Sequence, residues 1–410
     1  MPLPPLELAL PWSGHVHWHA LEPFPKVLAR RVADHGQWVI GVAGDDAAAV
    51  PPGHLALGVF GHLGYAAKDR FEALTSRHVP SDSFPEEAWW PARHVIVLGQ
   101  GRAMLRTTGP GRQEGEALLH KLLSKPQAIP AFPQAEWTLH TPRHRYLRQV
   151  ERLLEHIQRG DIYEVNHCTR RTARLPDLDP WAAFAALLRH TDAPFAGLLR
   201  LNHRFALCAS PERFLRLDGQ RAITQPIKGT RPRAVDIATD RALAAELQAD
   251  PKERSEHVMA VDVARNDLGR VAVPGSVHVE ELCAVKQYAT VHQLVSTVAA
   301  QLRPEVTPGE LFRATFPMAS MTGAPKIRAM QLIDENEDQA RGLFSGTMGF
   351  FLPDGTADLN VVIRTLTWHA ANGEASLLTG GAITAASKPE AEWEECQVKA
   401  RSVLQALGHA

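Results

Sequence analysis

No CxxC pair, no Walker loop, no G-x-G-x-x-G and no long apolar run occurs in the 410 residues of this chain. Each absence removes a class of function. The four cysteines, Cys168, Cys208, Cys283 and Cys396, lie far apart, so reduced thiols in a cytoplasmic protein are expected rather than a disulfide framework. Without a phosphate-cradling glycine loop, nucleotide chemistry is not expected. No segment approaches the length of a membrane helix, and "MPLPPLELALPW" lacks the basic start of a secretory leader. An excess of one charge is also missing: 44 Lys and Arg stand against 45 Asp and Glu, a net charge of −1. Binders of nucleic acid or of anionic membranes carry a basic excess, so neither is an expected partner. There are no internal repeats or low-complexity tracts.

What is present is the composition of a globular protein with a sizeable core, 45% hydrophobic and 22% charged. Residues 1–130 mix short strands such as "HVIVLGQ" with Gly/Pro turns and read as an N-terminal lobe without a catalytic pattern. The proline-dotted "KPQAIPAFPQAEWTLHTPRH" reads as a crossover between lobes, and residues 140–410 as the catalytic region. A helix is expected to start there with Thr141 as N-cap and Pro142 in its first turn. "CASPERFLRLDGQRAITQPIKGT" predicts two strands around an Asp218-Gly219 turn. Strands arrive in hairpins rather than alternating with single helices, which predicts an α+β fold with antiparallel sheets. Of 20 histidines, the one cluster, "HVHWH", places His15, His17 and His19 on one face of a partly exposed strand. With no carboxylate or cysteine nearby, a metal site there is not preferred.

Carboxylates recur in a pattern. In "DPKERSEHVMAVDVARNDLG" Asp250 is the expected N-cap, Pro251 opens the helix, and Glu253 and Glu256 at i, i+3 share a face. In "SKPEAEWEECQVKA" a Ser387–Glu390 capping box is expected, followed by Glu392 and Glu395 at the same spacing and Lys399 a turn later. Two such helices facing one another can hold a cation, and oxygen-only ligation favours Mg²⁺ over zinc. Each pair also reads as an ordinary solvated face.

"DLNVVIRTLTW" reads as one strand with Val362, Arg364, Leu366 and Trp368 on a common face. An arginine among apolar residues needs a carboxylate, either a substrate's or an internal one. "MTGAPK" offers Thr322 and Gly323 ahead of a helix opened by Pro325, a second anion site. In "QPIKGTRPR", Lys228 stands at a strand end where Arg231 and Arg233 would lower its pKa, as a nucleophile or base requires. On this string alone the solvated loop lysine is the preferred reading. Glu212 lies on the opposite strand of the hairpin. Pro211 and Pro226 cannot donate to a ladder, so pairing should fail there and let both side chains enter one cavity.

Together, "GDIYEVNHCTRR", "ASPERFLRL", "PIKGTRPR", "ERSEHVMAVDVARNDLGRV", "FPMASMTGAPKIRAMQLID", "LNVVIRTLTW" and "GGAITAASKPEAEWEECQVKAR" resemble, in order, the chorismate-utilising enzymes. The resemblance covers residues 145–405 and implies two large antiparallel β-sheets packed together and flanked by helices, with Mg²⁺-bound chorismate in a cleft. It implies Glu256 and Glu395 as direct metal ligands supported by Glu253 and Glu392. Arg364 would take the ring carboxylate and Lys399 would reach a carboxylate. Thr322, Thr230, His257, Gly381 and Ala382 would complete the substrate site. Glu212 would be the acid that assists loss of the C4 hydroxyl. Lysine in "PIKGT", where anthranilate, isochorismate and salicylate synthases typically carry alanine, marks aminodeoxychorismate formation, with Lys228 as covalent nucleophile. No amidotransferase motif is present, so a separate glutamine amidotransferase subunit supplying ammonia is implied. The alternatives are an anthranilate synthase component I and a non-catalytic chorismate-binding subunit. Phe344, Phe350, Ala319 and Glu164 depart from the family's usual residues, and none is expected to touch the carboxylate set or Lys228.

Overall fold

The computed structural model of the protein describes residues 6–45, 56–79, 84–108, 111–288 and 291–409. Among these, twelve strands form one sheet and nine a second, and every pairing between them is antiparallel. The α+β architecture expected from the hairpin pattern is therefore present. In the larger sheet the strands Gly197–Leu201, Arg204–Cys208, Thr365–His369, Glu374–Thr384, Glu164–Arg174 and Gly323–Ala324 lie side by side. In the smaller sheet the order Ile227–Pro232, Val291–Gln301, Arg221–Gln225, Arg213–Asp218, Ala357–Val361 is the one that matters for the site. Strands from the first 130 residues enter both sheets: Lys26–Val32 pairs with Gly197–Leu201, and Val59–Leu63 with Thr347–Phe351.

The sheets face each other across an apolar layer in which Leu28, Val39 and Leu199 of the larger meet Phe60, Trp90 and Phe350 of the smaller. The outer side of the larger sheet is covered by the helix Pro180–Thr191. Its N-cap Asp179 accepts from the backbone of Trp181 and Ala182, and its Phe184 ring packs edge-on against Trp18, centroids 4.9 Å apart. On the smaller sheet, Val261, Ala264 and Leu268 of the helix Pro251–Gly269 join Phe214, Leu359 and Val298 in a second core.

Several local expectations shift. Pro142, not Thr141, stands at the N-cap position of the helix Arg143–Gln158, with no side-chain cap, while the Thr141 hydroxyl donates to Asp338 at 2.9 Å. The hairpin loop is Gly219-Gln220, because Asp218 pairs with Arg221 and Gly219 takes φ +60°. His15, His17 and His19 do not share a strand face; Trp18–Leu21 is a 3₁₀ turn, with His17 on Ser124 and His19 on Asp179. "DLNVVIRTLTW" is not one strand. The chain leaves the smaller sheet at Val361 and enters the larger at Thr365. Arg364 makes that crossing in the left-handed region at φ +51°, which is uncommon for a residue other than glycine. Lys388 rather than Ser387 stands at the N-cap position of the helix Pro389–Leu404, with no side-chain cap, and the Ser387 hydroxyl accepts from the Thr384 amide at 3.1 Å. Among the described residues, no helix is long and apolar enough to cross a membrane, and all four cysteines are free and buried.

Candidate active site

Where the two sheets meet, a cleft of about 730 Å³ opens. The strand Ile227–Pro232 and the segment Pro211-Glu212 form one wall and the strand Glu374–Thr384 the other, and Arg364 sits at the crossover. The helices Pro251–Gly269 and Pro389–Leu404 close the sides. Proline breaks the pairing as expected: the ladder between Arg213 and Gln225 goes no further, and Pro226 gives its carbonyl to Ser296 instead. Glu212 and Lys228 consequently line the same space.

Glu212 is 4% exposed. Burial pushes its carboxyl up to about 7, against the opposing pull of the Ser320 hydroxyl, which donates to it at 2.7 Å, and of Lys228. Below that pH it is a neutral acid with a proton to give.

Lys228 differs from the sequence reading. Arg231 is committed to Asp250 at 2.8 Å and Glu246 at 3.1 Å, and Arg233 to Asp240 at 2.8 Å, so neither arginine bears on the lysine. Lys228 donates instead to the carboxylate of Glu164. Burial by itself would lower its pKa, but Glu164, then Glu256 and Glu212, more than reverse this and raise it. Glu164 was not expected to touch Lys228, and that expectation is corrected. Sequence periodicity had no means of finding the contact, because the two residues lie in different sheets.

The glutamate helices do face one another. Lys252 sits between them, its ammonium 3.8 Å from Glu256 and 3.9 Å from Glu392. Glu253 is 3.5 Å from Arg231, and Glu395 is 2.5 Å from Lys399. Burial raises Glu256 to about 7, opposed by Lys228 and Lys252, and burial also raises Glu392. Desolvation would raise Glu395 too, yet the Lys399 ammonium outweighs it and holds this carboxyl below its usual range. As they stand, no three His, Cys, Asp or Glu side chains among the described residues are gathered closely enough to hold a metal ion. The donor chemistry nevertheless suits a hard cation: oxygen ligands only, from two facing helices, with an amine already lodged between Glu256 and Glu392. Gly381 is part of this arrangement, since a Cβ there would stand 3.2 Å from the Glu392 carboxylate.

Thr230, Ala382, Lys399 and Arg364 line the cleft. Lys399 also donates to the Gly380 carbonyl at 2.7 Å, and Arg364 to Ser402 at 2.8 Å. Burial lowers the Arg364 pKa against the pull of Glu395, and among the described residues no carboxylate makes an ion pair with it. Thr322, His257 and Gly381 are not on the lining. The Thr322 hydroxyl donates to the Met318 carbonyl at 3.0 Å, and His257 pairs with Ser296 at 2.6 Å, with burial lowering its pKa to about 4. Gln293 Oε1 and Thr379 Oγ1, on residues that line the cleft, are buried with no hydrogen-bond partner among the described residues. Neither was singled out from the sequence. Of the departures, Phe344 lines the cleft, while the Phe350 ring lies in the intersheet core 5.7 Å from that of Phe60.

Residues 17–405 match the family model described as chorismate binding enzyme. The chain is 46% identical over 376 residues to aminodeoxychorismate synthase of Streptomyces griseus, covering 88% of this chain and 51% of that protein. It is 38% identical over 361 residues to anthranilate synthase component 1 of Thermus thermophilus, covering 85% and 77%. It thus spans about half the length of the Streptomyces relative. The solved anthranilate synthase component I from Streptococcus pneumoniae shares the fold, with a TM-score of 0.75 at 22% identity, covering 98% of this chain and 93% of that one. A cleft built from residues spread over the matched span, within a match of that extent, leads to one conclusion: the chain belongs to the chorismate-binding enzyme family.

Proposed function

We propose that the chain catalyses the aminodeoxychorismate synthase reaction, combining chorismate with ammonia to give 4-amino-4-deoxychorismate. The observation that carries this reading is the largely buried Lys228 amine on the cleft wall, in the same space as a carboxyl, Glu212, that holds a proton up to about pH 7. In the reaction the neutral Lys228 amine attacks C2 of chorismate while the C4–O bond breaks, and Glu212 gives its proton to the departing hydroxide, which leaves as water. Ammonia then bonds to C4, the C2–N bond breaks, and its electron pair returns to Lys228. The resting lysine is an ammonium ion paired with Glu164, so a proton must leave it before attack.

Arg364 would take one of the substrate's carboxylates and Lys399, on leaving its pairing with Glu395, another, while Thr230, Gln293 and Thr379 offer polar atoms along the walls. Glu256 and Glu395 would hold Mg²⁺, with Glu253 and Glu392 in support, and the bound ion would supply positive charge to a substrate carboxylate. Ammonia would come from a separate glutamine amidotransferase subunit, with free ammonium as a substitute. The similarity to the Thermus protein keeps anthranilate synthesis as the second reading.

The test is incubation with chorismate, Mg²⁺ and ammonium. The expected product becomes 4-aminobenzoate only after a lyase is added; fluorescent anthranilate without lyase would establish the second reading. Without ammonia, intact-protein mass spectrometry should show an adduct of chorismate less one water on Lys228. Lys228→Ala should lose adduct and product while still binding chorismate. Full product from Lys228→Ala, with no adduct on the parent enzyme, would overturn the covalent mechanism. Binding without turnover would indicate a non-catalytic subunit.

A further inference from the structure

Glu164 lies in the larger sheet, fixed on both sides by backbone ladders, opposite Thr384 on one neighbour and Ala324 on the other. Lys228 lies in the smaller sheet, paired with Leu294. The ion pair between them therefore bridges the two sheets at the cleft. Its two side chains are 4% and 9% exposed. Lys228 lines the cleft and Glu164 does not, so the carboxylate backs the amine without occupying the space open to a ligand.

The other charged groups near Lys228 are accounted for element by element. On its own strand, Arg231 is tied to Glu246, Asp250 and Glu253. On the helix Pro251–Gly269, Glu253 takes Arg231, Lys252 lies between Glu256 and Glu392, Glu256 acts on Lys228 only through space, and His257 is turned to Ser296. On the strand Val291–Gln301, His292 pairs with Asp240. Glu212 accepts from Ser320, and on the helix Pro389–Leu404 Glu395, which feels Lys228 through space, is paired with Lys399. Glu164 alone is in direct ionic contact with Lys228 among the described residues.

We infer that Glu164 is a positioning residue for Lys228: it fixes the amine at the cleft wall and holds it as an ammonium ion, so this one carboxylate governs when the nucleophile becomes free. An opposite charge at such range changes a partner's pKa by about 1 to 3. The geometry supports the pairing independently of any reaction; its catalytic meaning rests on the function proposed above.

The experiment uses the full chain and two variants. Glu164→Gln keeps the size and an accepting oxygen but removes the charge, whereas Glu164→Asp keeps the charge and draws it back. Each is labelled with trace acetic anhydride between pH 7 and 9.5, and Lys228 acetylation is followed by peptide mass spectrometry against exposed lysines. Glu164→Gln should label Lys228 about 10-fold faster or more at pH 8, and Glu164→Asp should fall between it and the parent. In the ammonia-free adduct assay, the limb that rises with pH should move to lower pH in Glu164→Gln. Equal labelling in all three proteins, each with parental melting, overturns the inference. If Glu164→Gln does not fold, parental labelling of Glu164→Asp overturns it alone. Faster labelling with no adduct in any protein, the parent included, would uphold the Glu164 assignment and reject the covalent mechanism instead.

Discussion

Glu212 ties the stability of the fold to pH at the cleft wall. Its carboxyl ionises at about 7 in the fold against an ordinary value of 4.5, because burial disfavours the charge. A raised value means that the folded state binds the proton more tightly. The associated stability is fully present below pH 4.5 and is lost as pH rises through about 7. The difference corresponds to at most about 3 kcal/mol. Glu212→Gln, which cannot ionise, should therefore melt higher than the parent at pH 8.5 and almost level with it at pH 4.5. The same variant should lose about 10²- to 10⁴-fold in turnover, and the fall in rate above about pH 7 should disappear with it. A variant that gains no melting temperature at pH 8.5 would show that the carboxylate is better solvated than its burial implies.

The strand Glu374–Thr384 carries two adjacent glycines that answer to different demands. A Cβ on Gly380 would lie 2.5 Å from the His167 carbonyl oxygen, so the neighbouring strand itself would have to move. A Cβ on Gly381 would meet only the ends of Glu392 and Glu395, at 3.2 and 3.7 Å, on the helix Pro389–Leu404. Gly380→Ala should accordingly lower the melting temperature by several degrees or prevent folding, by overpacking of about 1 to 3 kcal/mol. Gly381→Ala should melt near the parent but need a higher Mg²⁺ concentration for half-maximal turnover. Both follow from thermal melts and a Mg²⁺ titration, and a reversed order of melting would contradict the assignment. The carboxylate helices were the most legible elements of the site, because i, i+3 spacing places both acids on one face wherever the helix docks. The crossing at Arg364 was less so: a continuous run of strand-forming residues does not reveal that its two halves belong to different sheets.

Across the whole molecule, the sheets are joined by buried charge as well as apolar packing. Asp358 of the smaller sheet, 2% exposed, accepts from Arg30 of the larger at 2.8 Å and pairs with Arg213 of its own sheet at 2.9 Å. Both arginines are fully buried. Asp358→Ala would leave Arg30 without a counter-charge and Arg213 with Asp34 alone, a loss of about 3 to 5 kcal/mol. Thermal or urea unfolding should show it, together with weaker chorismate binding as the cleft walls part; a near-parental melt would mean that Asp34, already on Arg213, suffices. Composition, spacing and turn chemistry by themselves determined the fold class, the Asp250 and Pro251 helix start, the failure of pairing between Pro211 and Pro226, and the types of residue the cleft presents. These are local consequences of backbone geometry and side-chain period. Tertiary structure alone decided that Lys228 meets Glu164 rather than Arg231 and Arg233, that Lys252 lies between the two glutamate helices, and that Thr322 and His257 stand behind the lining. Each of these depends on which strand end one sheet sets against the other, and that distance is set by packing between residues far apart in the chain.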